Sequence, residues 1–212
     1  MDVGWLGKDV PGEQNGRVGG AQRNPPLFAT LTRVPNYIRA AVPGATYFFT
    51  VALAQRSRSL LVDHIEALRK AFRDERQVHP FDVDAIVVLP DHLHAVWTLP
   101  PGDADFPARW RGIKASFSAS VPAGESRSGS RKAKGERGIW QRRYWEHLIR
   151  DERDLHAHID YIHYNPVKHG YTARVVDWPH SSFHRFVRKG MLPADWGGEA
   201  VDDVRAGEFD DA

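Results

Sequence analysis

Leu89-Pro90-Asp91-His92-Leu93-His94-Ala95-Val96-Trp97 is the stretch that decides how this chain folds. It lies between two apolar runs, and Pro90-Asp91 favours a tight turn, so the pattern predicts two strands joined as a hairpin. Residues two apart on a strand point to the same face, so His92 and His94 would lie side by side while Leu93 faces the core. Two imidazoles placed in this way can supply two ligands of a metal site. The alternative is a pair of half-exposed strand histidines.

The segments around this hairpin alternate between strand and helix patterns. Strands are predicted at 46–53, 81–89 and 92–99, and a fourth strand together with the segment that leads into it at 139–149. Helices are predicted at 60–76, at 106–117 and after Asp151, a candidate N-cap, with Pro166 ending the last helix. The resulting order β-α-β-β-α-β-α matches the split βαβ arrangement of ferredoxin-like folds. We therefore expect an α+β fold, an antiparallel sheet with helices packed on one face, followed by a C-terminal arm.

Composition divides the chain into three parts. Residues 1–35 are rich in Gly, Pro, Asn and Gln and are predicted to be a disordered extension. Residues 36–198 form the predicted domain, with a flexible basic loop at 122–138, and residues 199–212 form an acidic tail. The chain has no cysteine, which excludes disulfides, thiol catalysis and cysteine zinc sites. Without an apolar run of about 18 residues or the apolar core of a signal peptide, a cytoplasmic protein is expected.

Charge is distributed unevenly along the chain. Residues 107–150 contain eleven Lys and Arg against three Glu, a net charge of +8, whereas residues 199–212 carry −5. A basic block of this size indicates a polyanionic partner, most often nucleic acid, although a solvated flexible loop would have a similar composition. The acidic tail could occupy the basic groove and suppress non-specific binding.

A second chemical pattern lies on the predicted last helix. Tyr161 and Asn165 are four residues apart and therefore share a helix face. The Asn165 amide oxygen could be a third ligand beside His92 and His94, which would hold Tyr161 close to the same metal. Taken alone, Tyr161 could equally be a core aromatic and Asn165 a helix end before proline. Tyr164 is a second candidate nucleophile on the same helix, and Tyr161 is favoured.

A metal beside a tyrosine suits phosphodiester chemistry. A phenol with a pKa near 10 is a poor nucleophile at neutral pH. A divalent ion can polarise the scissile phosphate, and a covalent phosphotyrosine conserves the bond energy, so that strands can be rejoined as well as cut. Imidazole and amide ligands with open positions suit Mg²⁺ or Mn²⁺.

The chain resembles the REP-associated tyrosine transposases, relatives of the single-tyrosine HUH transposases. The resemblance rests on five stretches in the expected order, covering roughly residues 36–198: Gly44–Val51, Val87–His94, Trp140–His147, Asp160–Gly170 and Trp178–Phe183. His92-Leu93-His94 matches the HUH motif, which implies that both histidines bind metal. The resemblance likewise implies that Tyr161 is the nucleophile and Asn165 the third ligand.

The resemblance also implies a function. Family members cut single-stranded DNA at or beside REP hairpins, palindromes scattered through bacterial genomes, and form a 5′-phosphotyrosine and a free 3′-OH. They are thought to be domesticated, and a monomer is expected to act. The N-terminal extension and the long loop depart from the family's compact core.

Hairpin recognition should combine phosphate contacts with base stacking. The candidate DNA-binding residues are Arg39, Arg109, Arg111, Lys114, Arg142, Arg143 and Lys168. Trp140 and Trp145 could stack on bases, although core packing is the more common role of such tryptophans. Two further hypotheses stay open: a catalytically silent hairpin DNA-binding protein, and a metal-dependent nuclease that uses water. Only the tyrosine mechanism leaves a protein–DNA adduct.

Overall fold

A computed structural model describes residues 41–125 and 128–197 of the chain. The predicted N-terminal extension, Arg39 and the acidic tail lie outside the described residues. None of the described helices combines the length and the apolar character that a membrane span requires.

Four antiparallel strands form one sheet. They are β1 (Thr46–Ala52), β2 (Asp82–Val88), β3 (His92–Thr98) and β4 (Trp145–Leu148), in the spatial order β2-β3-β1-β4. Leu89 N–H donates to the His92 carbonyl at 2.9 Å and closes the predicted hairpin between β2 and β3. The central strands β1 and β3 are buried along almost their whole length, which matches their aromatic and β-branched composition. The predicted α+β class and antiparallel sheet are confirmed.

Two crossover helices cover one face of the sheet, as predicted. They are α2 (Ile65–Val78) and α3 (Phe106–Ser120), and α2 follows the short helix α1 (Leu60–Asp63). The predicted single helix at 60–76 is thus interrupted at His64, whose backbone angles (φ −119°, ψ 38°) are not helical. The core of this layer is aromatic: Trp97 of β3 stacks on Trp110 of α3 with ring centroids 4.1 Å apart.

The last long helix, α5 (Glu152–Lys168), packs on the opposite face, so the sheet has helices on both sides and the expectation of helices on one face holds only for α2 and α3. Its contacts include Phe48 of β1 and Val87 of β2, which alternate along their strands with residues of the other core. Asp151 is the N-cap, as predicted, and its carboxylate accepts from the Asp154 N–H at 2.8 Å.

The prediction that Pro166 ends α5 is wrong. The helix continues to Lys168 because the missing proline N–H removes one hydrogen bond only, and His169 N–H donates to the Asn165 carbonyl at 3.0 Å in the next turn. The chain leaves the helix at Gly170, whose φ of +69° is accessible to glycine at little cost.

The remaining segments close the edges of the fold. A short helix, α4 (Gly129–Ala133), lies within the predicted basic loop. The C-terminal arm contains a 3₁₀ turn (Val175–Asp177) and α6 (Phe183–Arg188), and it pairs with the outer edge of β2. Val88 N–H donates to His180 and Ser182 N–H donates to Ile86, at 2.9 and 2.8 Å, so the arm protects an otherwise open strand edge.

Candidate metal and tyrosine site

The two histidines of β3 lie on the face of the sheet that α5 covers. His92 and His94 are 1% and 0% exposed, and their ring centroids are 5.0 Å apart. Leu93 between them packs in the core on the other face. The alternative of half-exposed strand histidines is therefore wrong.

Hydrogen bonds fix both imidazole rings. His92 Nδ1 lies 2.7 Å from Asp91 Oδ1, and His94 Nδ1 lies 2.8 Å from Thr50 Oγ1. These bonds hold Nδ1, so Nε2 is the atom that each ring could offer to a metal ion, an arrangement usual for metal-binding histidines. His92 Nε2 is buried and has no hydrogen-bond partner among the described residues, which fits the requirements of a ligand.

Asp91 contacts the histidine pair, although the sequence pattern indicated only a turn at this position. Burial acts to raise the pKa of Asp91, but the hydrogen bonds and charges of His92 and Arg56 outweigh it, and the pKa lies below its ordinary value. Asp91 is therefore a carboxylate at neutral pH and accepts a hydrogen bond from the Nδ1–H of His92, which leaves the Nε2 lone pair for a cation. In the sequence, the position of Asp91 directly before His92 was the signal that could have indicated this contact.

Tyr161 lies beside this pair. Its side chain is 4% exposed, and its ring centroid is 5.2 Å from that of His94. Lys168 Nζ donates to the phenol oxygen at 3.4 Å and lies 4.8 Å from the centre of the ring. An ammonium in this position can stabilise negative charge that develops on the phenol oxygen.

The two other predicted positions on α5 differ in their surroundings. Asn165 is fully buried one helical turn after Tyr161, on the same face of α5; its role as a third ligand stays a prediction. Tyr164 instead lines a separate cavity of about 370 Å³ with Val175 and Trp196. This placement favours Tyr161 over Tyr164 as the nucleophile.

His169 is an additional imidazole at the site that sequence reasoning did not assign. Its ring centroid is 5.4 Å from that of His92, and its side chain is exposed. His169 lies just beyond the end of α5, so its position relative to His92 on β3 could not be predicted from helical spacing.

The prediction that Arg109 binds DNA is wrong. Its side chain is 2% exposed and donates to both carboxylate oxygens of Asp103, at 2.6 and 3.2 Å, and to the carbonyls of Pro80 and Asp105, at 2.7 and 3.0 Å. The guanidinium is therefore buried and hydrogen-bonded within the protein, and it cannot reach a phosphate.

The other described basic candidates have three different settings. Arg111, Lys114 and Arg142 line a groove of about 660 Å³ beside α3, on the opposite face of the sheet from the histidines. Arg143 is exposed, whereas Lys168 belongs to the tyrosine site. The structure thus does not gather these residues into a single surface.

The predicted stacking tryptophans have packing roles. Trp140 is 9% exposed, and its Nε1 donates to Ser118 Oγ at 3.2 Å. Trp145 is half-buried and packs against the core beneath α5. Core packing is therefore the better description of both.

A second group of metal-ligating side chains lies on the same face of the sheet as the histidine pair. One potential ligand atom from each of His147, Asp154 and His158 lies within 4.8 Å of the others. No local spacing in the sequence indicates this group, because His147 is on β4 and the other two residues are on α5.

Comparison with known proteins assigns the chain to a family. No protein-family model matches it. It is 46% identical over 172 residues to a REP-associated tyrosine transposase of Escherichia coli K12, covering 81% of this chain and 96% of that protein. It is 47% identical over 165 residues to a Haemophilus influenzae protein described by the same family name, covering 77% and 93%.

A solved structure agrees with these relatives. A REP-associated tyrosine transposase bound to a REP hairpin is 44% identical, covers 84% of this chain and all of that chain, and superposes with a TM-score of 0.73. Sequence identity at this level over most of both chains, together with the same fold, shows the family. This chain belongs to the REP-associated tyrosine transposases.

Proposed function

We propose that this protein cuts and rejoins single-stranded DNA at REP-like hairpins through a covalent bond to Tyr161. The proposal rests on the proximity of Tyr161, His94 and Lys168. The ring centroids of Tyr161 and His94 are 5.2 Å apart, and Lys168 Nζ lies 3.4 Å from the phenol oxygen of Tyr161. The solved relative bound to a REP hairpin supports the choice of substrate.

The metal in this proposal is Mg²⁺ or Mn²⁺, held by His92, His94 and Asn165. Two observations support this assignment: His92 Nε2 is buried with no hydrogen-bond partner in the part of the chain that the structure describes, and hydrogen bonds hold the Nδ1 atoms of both rings. When bound, the ion would act as a Lewis acid on the scissile phosphate.

Tyr161 and Lys168 act directly in the proposed cleavage step. Tyr161 Oη attacks the phosphorus, the bond from phosphorus to the 3′ oxygen breaks, and a 5′-phosphotyrosine and a free 3′-OH result. The phenolic proton leaves to solvent as the new bond forms, and the departing 3′ oxygen takes up a proton. Lys168 stabilises the charge on the phenol oxygen during attack. Attack by a 3′-OH on the phosphotyrosine reverses these changes and rejoins the strand.

One chain supplies every residue of the proposed site, which supports a monomer as the active form. Because the proposed substrate is genomic DNA, we place the protein in the cytoplasm, associated with the nucleoid. Light scattering of the purified chain with and without hairpin DNA tests the first of these statements; a dimer that forms before cleavage would contradict it.

A denaturing gel of the protein with labelled REP-like hairpin oligonucleotides tests the function. We expect a band at the combined mass of protein and DNA with Mg²⁺ or Mn²⁺, no band with EDTA, and loss of the band in Tyr161→Phe. Tyr164→Phe is the matched control, since it removes a phenol from the same helix outside the site. Cleavage without an adduct would indicate a hydrolytic nuclease, and binding without cleavage would indicate a silent hairpin-binding protein.

A further inference from the structure

The side chains of His147, Asp154 and His158 join β4 to the first turns of α5. His147 faces α5 because it pairs with Phe48, whose ring lies in the core on that side of the sheet. Asp154 and His158 are four residues apart and share a face of the helix. The two imidazoles stack with ring centroids 4.7 Å apart, at an angle of 17°.

The spacing of their polar atoms is close to that of ligands around one ion. His147 Nε2 lies 2.9 and 3.2 Å from the two oxygens of Asp154, and His158 Nδ1 lies 3.1 Å from Asp154 Oδ1. Ligands about 2.0–2.2 Å from a tetrahedral zinc ion lie roughly 3.3–3.6 Å from one another. The distances from Asp154 to the two imidazoles are thus within a few tenths of an ångström of this spacing, and the three potential ligand atoms all lie within 4.8 Å of one another.

Burial and charge favour a cation at this place. His158 is 4% exposed, so its imidazole is largely withdrawn from water. Burial acts to raise the pKa of Asp154, but hydrogen bonds from His147 and the Arg150 N–H hold it below its ordinary value. Burial also lowers the pKa of His158, which keeps that imidazole neutral and able to coordinate.

We propose that His147, Asp154 and His158 bind a transition-metal ion of the zinc class at a second site. Two imidazoles and one carboxylate are a typical ligand set for Zn²⁺ or Co²⁺, with water in the fourth position, whereas Mg²⁺ prefers oxygen ligands. Coordination through His158 Nδ1 replaces the hydrogen bond that this atom donates to the Asp154 carbonyl at 2.8 Å, and the ring proton moves to Nε2. The Phe48 ring lies 5.5 Å from His94 and 4.7 Å from His158, so the two sites are neighbours and do not share a ligand.

We expect this ion to anchor a helix, a structural role that is separate from the proposed DNA chemistry. It would tie β4 to the N-terminal half of α5, and Tyr161 follows His158 by three residues on that helix. Ion binding would thus hold the helix that carries the nucleophile against the sheet, and it would stabilise the folded chain because the unfolded chain lacks the preformed site.

Titration with Co²⁺, followed by its visible absorption, tests the site in the full chain. We expect wild-type protein to develop the intense absorption of four-coordinate Co²⁺, and expect His147→Gln and Asp154→Asn to lose it. His156→Gln is the matched control, because His156 is an exposed histidine on the same helix, and it should retain the absorption. His92→Gln should retain it as well, because that side chain belongs to the other site.

Three results would overturn the proposal. They are an absence of four-coordinate Co²⁺ in wild type, retention of the absorption in both variants of the second site, and its loss in His92→Gln alone. If the variants unfold, imidazole NMR spectra of wild-type protein decide the matter. Zn²⁺ should shift the ring signals of His147 and His158 at one equivalent, and unchanged signals would show that these residues form a hydrogen-bonded cluster only.

Discussion

Replacing Asp91 by asparagine should weaken metal binding at the proposed nuclease site without removing a ligand. The Asp91 carboxylate is 5% exposed and bonds His92 Nδ1 at 2.7 Å. The amide of the variant would keep an acceptor oxygen in nearly the same place and would lose the negative charge. The imidazole would still be oriented, but its Nε2 would be a poorer donor to a cation.

The size of the effect follows from the kind of hydrogen bond that is replaced. A bond to a charged group contributes about 1.5–3 kcal/mol and a neutral one about 0.5–1.5 kcal/mol. Their difference, about 1–1.5 kcal/mol, corresponds to a roughly 5- to 12-fold weaker affinity for the ion at about 1.4 kcal/mol per tenfold change. Complete loss of such a supporting residue typically weakens affinity about 10- to 100-fold, so Asp91→Ala should have the larger effect.

The assay is the Mn²⁺ dependence of adduct formation, with Mn²⁺ binding measured separately by electron paramagnetic resonance. The Mn²⁺ concentration at half-maximal rate should rise about 5- to 12-fold in Asp91→Asn, and the rate at saturating Mn²⁺ should stay close to that of wild type. Asp91 also pairs with Arg56, so Arg56→Gln is the control that removes this ion pair and leaves the His92 bond. An unchanged Mn²⁺ requirement in Asp91→Asn, or an equal shift in Arg56→Gln, would show that the Asp91 charge does not act through His92.

Three further predictions concern charged side chains. Lys168→Met should slow adduct formation by about 10- to 100-fold, because Tyr161 loses the ammonium at its phenol oxygen, and single-turnover rates at saturating hairpin DNA would show this; an unaltered rate would remove Lys168 from the chemistry. Arg109→Met should lower the free energy of unfolding by about 1–3 kcal/mol in urea titrations, because buried hydrogen bonds to charge are lost, while hairpin affinity stays the same; weaker hairpin binding by folded protein would restore Arg109 as a DNA contact. The hydrogen bond from Arg137 lowers the pKa of Glu125 from 4.5 to about 2, so this carboxylate stabilises the fold above pH 4.5 and that stability is lost as the pH falls toward 2. Glu125→Gln should reduce this acid-dependent loss, and superimposable pH profiles of the two proteins would contradict the assignment.

The arrangement of the proposed site could be predicted from local spacing. The two-residue repeat of β3 places His92 and His94 on one face, and the four-residue interval of α5 does the same for Tyr161 and Asn165. Both periods follow from backbone geometry alone, so they hold whatever the rest of the fold does. The N-cap at Asp151 was predictable for the same reason.

The errors about the basic residues concern how side chains and helices pack in the folded chain. The sequence shows Arg109 as one member of a basic block, but the structure buries it against Asp103 and the Pro80 carbonyl. It also shows the basic candidates as one group, although α3 and α5 lie on opposite faces of the sheet. Charge along a chain does not indicate which layer each helix joins.

The strand hairpin, the tyrosine helix and the family could all be read from the amino-acid order, because each depends on residues close together in the chain. The packed structure was needed to show what lies opposite each side chain: Asp91 and Thr50 on the two imidazoles, Lys168 on the phenol, and His147 beside Asp154 and His158. Backbone periodicity fixes the face on which a side chain lies. Its partner on a neighbouring element depends on how the layers pack, which no local pattern specifies.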